Sequence, residues 1–98
     1  MVYKIKWTIR SLNDLHEIYS FIAKDSVRYA QIQIETIQHA ASNLASFPLM
    51  GRSMPEFSHL PYREILVGNY RVLYRLEENI VIIMSVVHGR RLLKEPSN

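Results

Sequence analysis

From Val27 to Leu44, the residues Val27, Ala30, Ile34, Ile37, Ala41 and Leu44 recur at alternating spacings of three and four. That is the period of an α-helix, and the stripe predicts one amphipathic helix of more than four turns. A helix that is apolar along one stripe has to lay that stripe on a second layer of structure. Just upstream, "SLNDLHEIYSFIAKD" sets Leu12, Leu15, Tyr19 and Ile22 at the same spacings. Ser11 and Asp14 form a capping-box-like start, and Asp25 and Ser26 supply a fresh N-cap before the longer helix. Two helices with so short a joint form an antiparallel hairpin.

The second layer comes from strands. Residues 2–7 alternate, with Tyr3, Ile5 and Trp7 on one face and Val2, Lys4 and Lys6 on the other, and the lysines suit a sheet edge. After the helices "FPLMGRSMPEF" reads as a loop, because Pro48 and Pro55 oppose continuation and Gly51 permits a turn. Three strands follow at roughly 62–67, 70–76 and 80–87, joined by "GN" and "EEN" as hairpin turns. The last, "IVIIMSVV", is apolar on both faces and belongs in the middle of the sheet. The expected fold is α+β in the order β-α-α-β-β-β. It is a single domain over residues 1–98, with the helical hairpin on one face of a mainly antiparallel four-stranded sheet that includes the N-terminal strand.

Composition narrows the function. A chain of 98 residues, 48% hydrophobic, buries roughly two thirds of its unfolded surface and needs no staples. The absence of cysteine excludes disulfides, thiolate metal sites and cysteine nucleophiles, and fits a reducing compartment. "MVYKIKWT" lacks a continuous apolar stretch of the signal-peptide kind, and "IVIIMSVV" is far short of a membrane span. A cytoplasmic protein without membrane contact is expected. His16, His39 and His59 show no ligand spacing, and neither a phosphate-binding glycine loop nor a nucleophile elbow occurs. No metal, cofactor or small-molecule substrate is therefore expected.

The formal charge of +3 is unevenly spread: Arg52, Arg63, Arg71, Arg75, Arg90, Arg91 and Lys94 crowd the later half against Glu56, Glu64, Glu77 and Glu78. Guanidinium groups grip phosphates and carboxylates, so the partner suggested is acidic, either nucleic acid or an acidic protein segment. In "GNYRVLYR" Arg71 and Arg75 alternate with Tyr70, Val72, Tyr74 and Leu76. A charge beneath the helices costs on the order of several kcal/mol, so the arginines are expected on the uncovered face. For both arginines a surface pair with Glu64 is the plainer alternative, more so for Arg75, since Arg71 sits nearer the hairpin turn and the loop. Arg63 is ambiguous, since Ile65 and Val67 share its face while Leu66 shares that of Glu64; it is placed with the same patch. His88, at the end of the central strand, is either a proton donor and acceptor or a structural residue. Glu56, in the loop, is either a base or a partner for an arginine. Arg52, Arg90 and Arg91 complete the candidate set for binding a target or a phosphate.

In their order and spacing, "WTIRSLNDLHEIYSFIAKDS", "FPLMGR", "YREILVGNYRVLYR" and "IIMSVVHGRR" resemble the ParE/RelE superfamily of toxins from type II toxin-antitoxin modules, across about residues 3–92. The resemblance implies a toxin neutralised by a cognate antitoxin that wraps it in an extended segment. Two activities are implied by the two branches: inhibition of DNA gyrase, as for ParE, or cleavage of messenger RNA in the ribosomal A site, as for RelE. The helical hairpin and the "PLMGR" loop look more like the ParE branch. Arg71 and Arg63 match sheet cations of RelE-like enzymes, while Ile65 stands where some carry a second lysine, and "LLKEPSN" lacks their C-terminal aromatic. A related nuclease subgroup uses a glutamate, an arginine and a histidine, for which Glu56, Arg71 and His88 are the matching positions. An inactive relative that only binds antitoxin is the third alternative. Ile32, Leu92 and Leu93 are expected among the antitoxin contacts.

Overall fold

The computed structural model describes residues 2–91. Strand β1 (Lys4–Trp7) leads into helix α1 (Ile9–Ala23) and helix α2 (Val27–Ser42), and four strands follow: β2 (Arg52–Ser53), β3 (Tyr62–Val67), β4 (Tyr70–Glu77) and β5 (Ile80–His88). They form one sheet in the order β1-β5-β4-β3-β2. β1 runs parallel to β5, and the other pairings are antiparallel. β5 is thus interior, as its two apolar faces require, and β1 is an edge. The fifth strand, the short β2, lies inside the segment expected to be loop.

The stripe on α2 behaves as read: Ala30, Ile37, Ala41 and Leu44 are fully buried, and only Val27 at its start is left in solvent. Ser26 caps the helix, its Oγ accepting from the Tyr29 N–H at 3.1 Å. α1 differs. It starts three residues earlier than expected, with Thr8 rather than Ser11 as N-cap, and its buried residues are Ser11 and Leu15 while Leu12 stays exposed. The cause is Thr8, whose Oγ1 accepts from Ser11 N and donates to Ile83 O at 3.0 Å, fixing how the first turn faces the sheet. Ser11 tolerates burial because its hydroxyl donates to Thr8 O at 2.8 Å.

Asp14 does not close a capping box. β1 ends opposite Ile83, so β5 runs on without a strand on that side, and the Asp14 carboxylate accepts from Val86 N at 2.9 Å and from the Ser85 hydroxyl at 2.7 Å. A helix carboxylate thereby does for the backbone what a missing strand would have done. The turn between β3 and β4 uses Gly68 at φ 59°, a left-handed conformation suited to glycine.

Core residues lie on both faces of the sheet. Ile65, Val72, Tyr74, Val81, Ile83 and Val86 pack with Leu15, Ile37, Ala41 and Leu44 of the helices. On the other face Leu73 and Val87 are covered by Met54 and Phe57, flanked by Leu60 and Tyr62. That face was expected to be bare. It is not, because the segment after β2 carries its own spaced apolar residues and folds back as a lid. Among the described residues no helix is long and apolar enough to cross a membrane.

Candidate functional site

Arg71 sits on the face away from the helices, as its alternation with Val72 and Tyr74 demands, but under the lid its side chain is only 5% exposed. Nε donates to Glu64 Oε1 at 2.9 Å. Nη2 donates to Glu64 Oε1 and to Glu56 Oε1, and Nη1 donates to Glu56 Oε2 and to the carbonyl of Arg91. A guanidinium owns five N–H groups, and these contacts use all of them. Glu64 is fully buried and turns its second oxygen to Arg52, whose Nε and Nη2 both lie at 2.8 Å. The resulting chain, Arg52–Glu64–Arg71–Glu56, ties β2, β3, β4 and the lid together. The hydrogen bond with Glu56 raises the Arg71 pKa further; burial opposes that and Glu64 adds to it.

The position of Glu64 was legible in principle. Counting outward from the turn sets Leu66 opposite Arg71, which puts Glu64 on the same face and one step diagonal. Of the two arginines for which a pair with Glu64 was the alternative, Arg71 makes it, and makes it buried rather than at the surface. Arg75 pairs with Glu77 at 2.6 Å at the surface.

Arg63 does not join Arg71. It shares the helix-side face with Ile65 and Val67, opposite Tyr74, and its Nη1 donates to the carbonyls of Gly51 at 2.7 Å and Leu49 at 3.5 Å. Tyr74, fully buried, works on the same loop: its hydroxyl donates to Pro48 O at 2.7 Å and accepts from Gly51 N at 2.9 Å. Burial raises the Tyr74 pKa, against the pull of the Gly51 N–H and the Arg63 charge. A Cβ on Gly51 would come within 2.5 Å of the Tyr74 hydroxyl and 2.7 Å of the Glu64 carbonyl. The "GR" of the sequence thus marks where the loop presses on the sheet.

His88 is on the helix side, paired with Tyr70 across β4 and β5 and edge-on to its ring at 5.9 Å. Its Nδ1 accepts from Arg90 N at 3.2 Å. The ring opens on a cavity of about 290 Å³ shared with Asp14, Glu17, Phe21 and Arg91. Arg71 is paired with Val87, the neighbour of His88 along the strand, and so projects from the opposite face. The structure brings Glu56 and Arg71 together and leaves His88 apart from them. Ile32 is exposed on α2; Leu92, Leu93 and Lys94 lie outside the described residues. Among the described residues no group of three or more His, Asp or Glu is arranged to hold a metal ion.

The sequence model of the family described as "ParE toxin of type II toxin-antitoxin system, parDE" matches residues 5–93. Toxin RelE2 of Caulobacter vibrioides is 31% identical over 90 residues, covering 91% of this chain and 98% of its own. Among solved structures, the chromosomal ParDE system of P. aeruginosa superposes with a TM-score of 0.74 at 19% identity, over 89% of this chain and 96% of that one. The RelBE2 toxin-antitoxin complex of Mycobacterium tuberculosis gives 0.65 at 23% identity, over 90% and 99%. At these identities the two structures speak for a shared fold.

Proposed function

The chain belongs to the ParE family of type II toxin-antitoxin toxins, and we propose that it arrests growth in the cytoplasm by protein-protein contact with DNA gyrase and is neutralised by a cognate antitoxin. One observation carries the choice of target: every N–H of Arg71 is already bonded to Glu56, Glu64 or the Arg91 carbonyl. Cleavage of RNA requires a cation on the phosphate and a proton-handling group beside it. Arg71 has no donor left for a phosphate, and His88 projects from the other face. Purified protein at micromolar concentration is expected to inhibit gyrase supercoiling. Unchanged supercoiling by a protein that still arrests growth would overturn the reading.

The likeness to a protein named toxin RelE2 favours a second reading, ribosome-dependent cleavage of messenger RNA. It requires Glu56 to leave Arg71. Primer extension on transcripts after induction would then show cuts at A-site codons, lost in Arg71→Ala and His88→Ala. A host unharmed by expression without antitoxin would instead mark an inactive, antitoxin-binding relative.

A further inference from the structure

Asp14, Glu17, Ile18 and Phe21 stand at positions i, i+3, i+4 and i+7 of α1, so they share one face of that helix. Beyond the end of β1 this face looks onto β5. Between them lies a cavity of about 290 Å³, closed on the strand side by Tyr70 and His88 and rimmed by Arg91. Its walls are fixed before anything enters. The Asp14 carboxylate is tied to β5 through Val86 N and the Ser85 hydroxyl, and the rings of Tyr70 and His88 meet edge to face. The backbone of Arg91 is held at both ends, its N–H donating to His88 O at 3.0 Å and its carbonyl accepting from Arg71 Nη1 at 2.8 Å. Little ordering is left for a ligand to impose.

The chain leaves the charged groups of this cavity unused. Both bonds to Asp14 go to Oδ2, so Oδ1 has none among the described residues, and there the side chains of Glu17 and Arg91 make no hydrogen bond or ion pair either. Three rings, those of Phe21, Tyr70 and His88, line the same space. Phe21 is 70% exposed, and the Lys24 ammonium stands 5.9 Å from its centroid, so the face of that ring is within reach of a cation. Carboxylates set among aromatic faces suit a guanidinium best, because its planar fork meets a carboxylate while its face lies on a ring; an ammonium offers only a point charge. Sites for small molecules run from about 300 to 1,000 Å³. A cavity below that range takes one side chain rather than a whole ligand.

We propose that this cavity receives an arginine side chain of a partner protein, its guanidinium bonded to Glu17 and Asp14 Oδ1 and its plane laid on the ring of Phe21. The charge of the occupant follows from the lining, where two carboxylates stand against the one guanidinium of Arg91 in a chain whose formal charge is otherwise +3. Arg91 is the like charge at the rim and opposes the incoming cation. A buried arginine anchor in a preformed pocket is the kind of contact that carries a large share of the energy of a protein interface. His88, which stands on the opposite face from Arg71, thereby has a use as a wall of the pocket that calls for no proton transfer. The inference goes beyond the gyrase reading, since it concerns the anchor and not which protein carries it.

The test titrates the isotope-labelled full chain with three capped tripeptides, glycine-arginine-glycine and its lysine and glutamate counterparts. At millimolar concentration the arginine peptide is expected to shift the amide resonances of Glu17, Phe21 and His88, and to bind at least threefold more tightly than the lysine peptide and tenfold more tightly than the glutamate peptide. Glu17→Gln, at an exposed site without bonds of its own, should weaken the arginine peptide about threefold, the range of an exposed ion pair. Arg91→Ala keeps the carbonyl that Arg71 holds and should strengthen it by a similar factor. Both variants should keep the circular dichroism of the parent. No shift at these residues, equal binding of the arginine and lysine peptides, tighter binding of the glutamate peptide, or weaker binding after Arg91→Ala would overturn the proposal. Peptide binding is read independently of supercoiling, so failure here leaves the gyrase result standing, and the reverse.

Discussion

Replacing Glu64 by glutamine tests the ion network at its centre. Glu64 is fully buried and Arg71 only 5% exposed, so the substitution leaves a guanidinium in a water-poor site facing an amide with one acceptor and two further N–H donors. Breaking a buried pair by removing one partner costs about 3–5 kcal/mol. Against the roughly 5–15 kcal/mol that holds a domain together, this is a large loss. For a domain of this size it lowers the melting temperature by about 12–40 °C. Urea unfolding followed by circular dichroism and by the fluorescence of Trp7 measures it directly. Two companions sharpen the result. Arg75→Ala, which breaks the exposed pair with Glu77, should cost less than about 1 kcal/mol. The triple variant Glu56→Gln, Glu64→Leu, Arg71→Met, which removes the network rather than cutting it, should recover most of the loss. If Glu64→Gln costs as little as Arg75→Ala, Arg71 is not desolvated, and the reason for denying it to a phosphate disappears.

Gly51→Ala should destabilise by about 1–3 kcal/mol or more, because its Cβ meets backbone at the Glu64 carbonyl as well as the Tyr74 ring; chemical denaturation reads this. Tyr74→Phe strands Gly51 N and Pro48 O and should cost about 1–3 kcal/mol. It should also change the pH profile. The folded pKa of Tyr74 is raised above its ordinary 10.0, so the folded state holds the proton longer, and wild-type stability is full below pH 10 and falls as pH rises through the folded pKa. In the variant that alkaline decline should flatten, and an unchanged decline would show that other groups cause it. Asp14→Asn should free the Val86 N–H for faster hydrogen exchange, since the neutral amide is a weaker acceptor than the carboxylate at that 2.9 Å contact.

Periodicity carried the fold because each layer writes its own period. The α2 stripe, the interior position of β5 and the lysines on an edge strand all follow from which faces are apolar. What escaped was set by contacts between distant residues. The face of α1 turns on Thr8 reaching Ile83, 75 positions away, and nothing in the spacing of Leu12 announces it. The lid was legible only in part. Met54, Phe57, Leu60 and Tyr62 are spaced for burial, but Pro48, Gly51 and Pro55 drew the stretch toward a loop. β5, apolar on both faces, carried the missing inference: an interior strand of that kind needs cover on both sides. Arg63 was placed with the patch on the allowance that a bulge could turn it to the other face, but β3 pairs with β4 in unbroken register, so alternation with Ile65 and Val67 puts it on the helix side.

The arginine-rich second half was read as a surface for an acidic partner, and its geometry gives most of that charge a different use. Arg71 bonds two carboxylates and a carbonyl, Arg63 two carbonyls, Arg52 one buried carboxylate and Arg75 its near neighbour. The first three fasten residues 49–56 to the sheet. Lysine could not substitute at Arg71, because an ammonium is a point donor with three N–H groups and lacks the planar fork that meets Glu56 with two parallel bonds. Basic composition in this chain is therefore weak evidence for nucleic acid: the charge is largely consumed in building the loop. What the fastened loop presents outward is apolar, at Phe47, Leu49 and Met50. A fold that uses its guanidinium groups inside and its large aliphatic and aromatic side chains outside is arranged to meet protein, and this supports the proposed contact with gyrase over the second reading, cleavage of a phosphodiester.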